Sequence, residues 1–184
     1  EALCVYDDVH ATRVIRMIRE AGIHIVSNPH ISLSGRGRLN AQPILRGLTR
    51  VKELLEAGVP VSCGQDDVMD PFYNFGKMDQ LEVGLFMAHA AHLTSSVELE
   101  TVYDMITVNA ARAMGVDDLG IEVGNRADMI VLDTQSVWNA FRLRPDCLYV
   151  IKGGRITAKS RSERRVMRSD ALEPLRLEGF PSSN

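Results

Sequence analysis

The stretch VPVSCGQDDVMDP, Val59 to Pro71, decides how this chain is read. An apolar run, Val59 to Cys63, leads through Gly64-Gln65 into two adjacent carboxylates, Asp66 and Asp67, and a third follows at Asp70 before Pro71. A short apolar run closed by turn residues predicts a buried strand. A surface strand does not need carboxylates crowded at its exit, whereas the rim of an active site does. In folds built on a parallel sheet, functional side chains gather where the strands end.

Upstream, HATRVIRMIREA (His10 to Ala21) places Val14, Met17, Ile18 and Ala21 on one helical face, with Arg13, Arg16 and Glu20 largely off it. Gly22 is a stop signal. IHIVSNP predicts a short strand closed by Asn28-Pro29, and ISLSGRGRLNAQP, polar and glycine-bearing, predicts a loop. Leu48, Val51, Leu54 and Leu55 mark a second amphipathic helix, stopped at Gly58. The order helix, strand, loop, helix, strand favours a parallel sheet with strands covered on both faces. Asn28 and the Asp66-Asp67 pair then both sit at the carboxyl ends of strands.

Downstream, DPFYNFG is a turn-rich loop, and Asp70 is suited to hold the turn before Pro71. Met78, Leu81, Leu85, His89 and His92 fall on or near one helical stripe. Ser95-Ser96-Val97-Glu98 has the spacing of a capping box and opens a helix carrying Leu99, Val102, Ile106, Ala110 and Ala113, ended by Gly115. From Gly120 the character changes. GIEVGNRADMIVLD and CLYVIKGGRITA are strand-like, with Gly153-Gly154 as a hairpin turn. The tail from Ser160 is charged and punctuated, and its end, GFPSSN, is expected to fray.

The 184 residues carry a formal net charge of −3, mixed in sign, which speaks against nucleic acid or an anionic membrane as partner. No apolar run has the length of a membrane span, and no basic segment followed by an apolar one opens the chain. Three widely separated cysteines, Cys4, Cys63 and Cys147, read as inert thiols in a reducing, cytoplasmic compartment rather than as a disulfide framework. No CxxC occurs, so the zinc deaminase signature with paired cysteines is absent.

Three features together resemble the amidohydrolase superfamily. They are the strand ending in Gly64-Gln65-Asp66-Asp67, the segment ITVNAARAMG (Ile106 to Gly115), and GIEVGNRADMIVLD followed by VIKGGRI. The span from Asn28 to Gly76 is similar to the cytosine deaminase branch. The resemblance implies an α/β fold, namely the C-terminal part of a (β/α)8 TIM barrel plus part of a small β-sandwich. It implies barrel residues and following helices over 1–119, a sandwich segment over 120–159 and a tail over 160–184. No HxH metal motif is present, and the chain lacks an initiator Met. The expectation is therefore a C-terminal portion beginning just after a sixth barrel strand, inactive when isolated.

The implied chemistry is hydrolysis of a non-peptide C–N bond in a cytosine-like cyclic amidine. A divalent ion, zinc or iron, is expected in the complete enzyme and not in this segment alone. Asp66 matches the metal-binding and catalytic aspartate of the family. Asp67, Phe72 and Asn28 are expected at the substrate, a small nitrogenous heterocycle. Gln65 stands where the family commonly has histidine, and Phe72 where it commonly has tryptophan. His30 lies close to the expected mouth. His89 and His92, three apart, have a chelating spacing, but their apolar stripe favours packed, hydrogen-bonded histidines. Arg36 and Arg38 read as a solvated loop. Two alternatives remain open: a non-catalytic segment that self-associates as a homo-oligomer or binds a complementing chain, and an amidase or triazine-type aminohydrolase.

Overall fold

The computed structural model describes residues 2–42, 44 and 47–162. It is a mixed α/β fold. A single 3-10 turn, Ala2–Val5, precedes α1 (Asp8–Glu20), which is capped where the Asp7 carboxylate accepts the His10 N–H at 2.9 Å. The buried face of α1 is set by Ala11 and Ile15, flanked by Val14 and Ile18. The expected stripe was displaced by part of a turn, and Met17 is 55% exposed.

The two strands named from sequence, β1 (Ile25–Ser27) and β2 (Val61–Cys63), pair in parallel, with Ser27 opposite Cys63. Among the described residues each pairs only with the other. All three residues of β2 are buried, as a strand covered on both faces requires, while Val26 of β1 is 55% exposed.

The expected loop after Asn28 begins instead as a helix, α2 (Pro29–Gly35). Pro29 at its first position explains this. The ring presets the helical φ and the missing N–H has no intrahelical partner to lose. Part of that stretch, with Pro43, Leu45 and Arg46, lies outside the described residues. Helix α3 (Val51–Glu56) then buries Val51 and Leu54 against the sheet side of the core. Before it, Arg50 ties the chain start to α3, its guanidinium donating to Leu3 O, Tyr6 O and the Asp8 and Glu53 carboxylates.

Helix α4 (Gln80–Ala90) is apolar nearly all round and lies against α5 (Ser96–Ile106). The capping box at Ser95 and Glu98 is present in both directions. The long helix expected to Gly115 breaks at Thr107, whose hydroxyl donates to Tyr103 O at 2.7 Å, and α6 (Val108–Ala113) follows as a separate helix. That break lets Asn109 of α6 donate to Val61 O of β2 at 3.2 Å.

The remaining strands, β3 (Met129–Leu132), β4 (Cys147–Lys152) and β5 (Arg155–Lys159), form an antiparallel sheet in the order β3-β4-β5. Gly153 and Gly154, at φ 55° and 72°, make the hairpin turn. Helix α7 (Val137–Leu143), between β3 and β4, was not foreseen. Its Phe141, 1% exposed, inserts beside Ile106 and makes an edge contact with Tyr103 of α5. The tail from 163 lies outside the described residues. No helix among the described residues is long and apolar enough to cross a membrane.

Candidate active site

Parallel pairing of β1 and β2 brings their carboxyl ends together, and Gly64 N–H continues the ladder to Ser27 O at 3.2 Å. The next residues on each strand form the site. Asn28 Nδ2 donates to Asp66 Oδ2 at 2.7 Å, across 38 residues of sequence. Asp66 has φ 69°, in the left-handed region that Asp tolerates better than most residues. Its side chain is exposed, and both residues line a cleft of about 400 Å³ bordered by Tyr6, Val14, Ile18 and His24.

Gly64 is shaped by this contact. A Cβ there would lie 2.7 Å from Asn28 Oδ1. Asn28 occupies the N-cap position of α2, where an Asn side chain ordinarily accepts a backbone N–H of the first turn, yet it makes no capping bond.

Beyond Asp66 the chain folds into a tight loop. Asp70 Oδ1 accepts the N–H groups of Phe72 and Tyr73 at 2.8 and 2.9 Å, the turn-holding role expected of it. Those bonds hold the Asp70 carboxyl below its ordinary range. Asp67 is held above its ordinary range, by partial burial first and then by the carboxylates of Asp70 and Asp66. Phe72 is 78% exposed, an open aromatic face beside the carboxylates. Gln65 is buried, and its amide lies so close to Gly76 that a Cβ there would fall 1.6 Å from Nε2.

His30 is buried at 2% exposure, stacks on Phe86 at 4.2 Å and meets Tyr73 edge-on. Glu82 Oε1 is 3.8 Å from its Nε2. Burial outweighs that carboxylate and holds the imidazole below its usual range, so the pair is a contact of a neutral ring rather than an ion pair. His30 does not border the cleft. His89 and His92 are both exposed rather than packed. His89 Nδ1 engages Leu85 O at 2.8 Å, and His92 lies past the end of α4 at φ 54°. Helix α4 ends at Ala90, so the stripe that predicted packing never reaches His92. Arg36 is not a solvated side chain, because its Nη2 donates to Cys4 Sγ at 3.3 Å.

Among the described residues no three His, Cys, Asp or Glu side chains come together as a group able to hold a metal ion. Asp66 could serve as one ligand: its Oδ2 accepts from the Asn28 amide, and a carboxylate is a hard oxygen donor.

Pterin deaminase of Rhizobium rhizogenes is 31% identical over 169 residues, covering 90% of this chain and 38% of that protein. The solved structure of 5-methylcytosine deaminase from Klebsiella pneumoniae liganded with phosphonocytosine is 30% identical with a TM-score of 0.85, over 90% of this chain and 41% of that one. N-isopropylammelide isopropylaminohydrolase from Burkholderia multivorans gives a TM-score of 0.73 at 25% identity, over 85% of this chain and 37% of that one. The chain thus spans about two fifths of the length of these relatives. The family model described as Amidohydrolase family matches residues 2–158, and the chain belongs to that family.

Proposed function

We propose that this chain is the C-terminal portion of a metal-dependent hydrolase that deaminates a small cyclic amidine of the cytosine type. The observation that carries the proposal is the Asn28–Asp66 pair, held at 2.7 Å where two parallel strands end beside a cleft. The likeness to deaminases of pterin and 5-methylcytosine supports the substrate class.

In this reading residues 1–119 belong to a barrel, 120–159 to a small β-sandwich and 160–184 to a tail. Among the described residues β1 and β2 each have one strand neighbour, which supports a sheet completed by further strands, from a longer chain or a complementing one. The three free cysteines suit a reducing, cytoplasmic setting.

A bound zinc or iron ion would supply positive charge that acidifies water at neutral pH. Asp66 would hold it from this chain, and its carboxylate would take a proton from the attacking water and return it to the departing nitrogen. Asp67, with its raised proton affinity, meets the polar edge of the heterocycle. Phe72 offers an open ring for a flat substrate to stack on. Asn28 completes the polar rim. A second reading, removal of an amino substituent from a triazine ring, is favoured by the likeness to N-isopropylammelide isopropylaminohydrolase.

The test uses the full-length product of the reading frame that carries this chain, assayed for ammonia release from cytosine, 5-methylcytosine and pterin. Asp66→Asn keeps the left-handed backbone and the side-chain shape. It should lower kcat by about 10²–10⁴-fold, the range for a lost general acid–base group. Activity within twofold of the parent would remove Asp66 from the chemistry.

A further inference from the structure

We propose that Asn28 is the positioning residue of the Asp66 carboxylate, and that Gly64 is kept bare of a side chain so that Asn28 can do this. The inference rests on the functional reading above and assigns a task within it. Three observations converge. Among the described residues the Asn28 amide donates to one oxygen, Oδ2 of Asp66, at 2.7 Å. Asn28 stands at a helix N-cap, yet its side chain makes no bond to that helix, so local capping does not account for its orientation. Finally, the first atom that a Cβ at Gly64 would strike is Asn28 Oδ1, at 2.7 Å, and the next side chain, Val26 Cγ1, is at an ordinary 3.5 Å.

The physical consequence is a choice between two carboxylate oxygens. An exposed Asp side chain rotates freely, so either oxygen can face the cleft. The amide fixes Oδ2 and leaves Oδ1 as the oxygen presented to a cation or a water proton. Partners that orient a metal ligand in this way contribute about 10–100-fold to metal affinity or activity. The same placement makes Gly64 and Asn28 a coupled pair. A methyl at position 64 displaces the amide, but finds room once Asn28 is truncated.

The experiment is a double-mutant cycle in the full-length protein with two readouts: zinc affinity by chelator competition, and kcat and KM for deamination. Asn28→Ala should weaken zinc about 10–100-fold and lower kcat with KM little changed. Its melting temperature should stay at the parent value, because no capping bond is lost. Gly64→Ala should reproduce the zinc and kcat losses. The combined variant should be no worse than Asn28→Ala alone, within about twofold, because both substitutions remove one interaction. Multiplying losses in the combined variant would overturn the cradle. Unchanged zinc affinity and kcat in Asn28→Ala, alongside a disabled Asp66→Asn, would overturn the positioning role and leave the site reading standing. An unaffected Asp66→Asn would overturn both.

Discussion

Gly84 of α4 faces the ring of Phe141 from α7, and adding one methyl group there gives opposite results in two backgrounds. A Cβ on Gly84 would lie 2.6 Å from Phe141 Cε1, 3.0 Å from Cζ and 3.3 Å from Ile106 Cδ1. Carbon atoms prefer about 3.5–4.0 Å, so the ring edge must retreat by about 1 Å. Phe141 is 1% exposed and has nowhere to retreat without disturbing α5. Such overpacking costs about 1–3 kcal/mol. Against it, Ala in a helix interior gains about 0.5–1 kcal/mol over Gly. Gly84→Ala should therefore destabilise the chain by up to about 2.5 kcal/mol. In a Phe141→Leu background the two nearest ring atoms are gone, and the same substitution should stabilise by up to about 1 kcal/mol. Urea unfolding followed by circular dichroism reads both values. Stabilisation by Gly84→Ala in the parent, or the same destabilisation in both backgrounds, would refute the docking of α7 on α4.

At the start of α5, Ser95→Ala should cost about 0.5–2 kcal/mol in urea unfolding, the range for a lost N-cap. The carboxyl of its capping-box partner Glu98 is pulled from its ordinary 4.5 to about 2, first by the Ser95 backbone and hydroxyl, then by Lys52. A depressed carboxyl stabilises above its unfolded value, so this contribution is present above pH 4.5 and fades as pH falls toward 2; Glu98→Gln should flatten that part of a stability–pH curve. His30 acts in the same direction at a higher pH, because burial lowers the proton affinity of this base. The folded protein resists the proton that the unfolded chain accepts near pH 6.5, so stability should drop as pH falls below 6.5, and His30→Leu should remove that portion of the drop. The Cys63 thiol is pushed up to about 12 by burial, so alkylation of the native chain at pH 8 should modify the partly exposed Cys4 and Cys147 well before Cys63.

The parts of this fold that sequence disclosed were those with local causes. Apolar runs with turn punctuation located β1 and β2, and the order of elements fixed their parallel pairing. The Ser95–Glu98 spacing announced its capping box, and Gly153-Gly154 its hairpin. The misses have tertiary causes. Helix α7 is seven residues long with one buried aromatic, too short for a periodic signal, and it forms because Phe141 finds a slot beside Gly84. Helix α2 hid behind serines and glycines, although Pro29 after Asn28 was a usable start signal. The break at Thr107 answers to Asn109 reaching β2, a contact no periodicity encodes. At the site, sequence named Asn28 and Asp66 separately. Their hydrogen bond, and the bare Gly64 beneath it, needed coordinates.

The left-handed backbone at Asp66 has an evolutionary corollary. Asn and Gly fit φ 69° about as readily as Asp does, and both lie a single base change away in the genetic code. A descendant could lose the carboxylate at this position without any penalty in folding, and living and dead copies of the domain would share one silhouette. Shape alone would never sort the one from the other; if Asp66 has the role proposed above, the identity of this one side chain is the character by which working and silenced paralogues should be told apart.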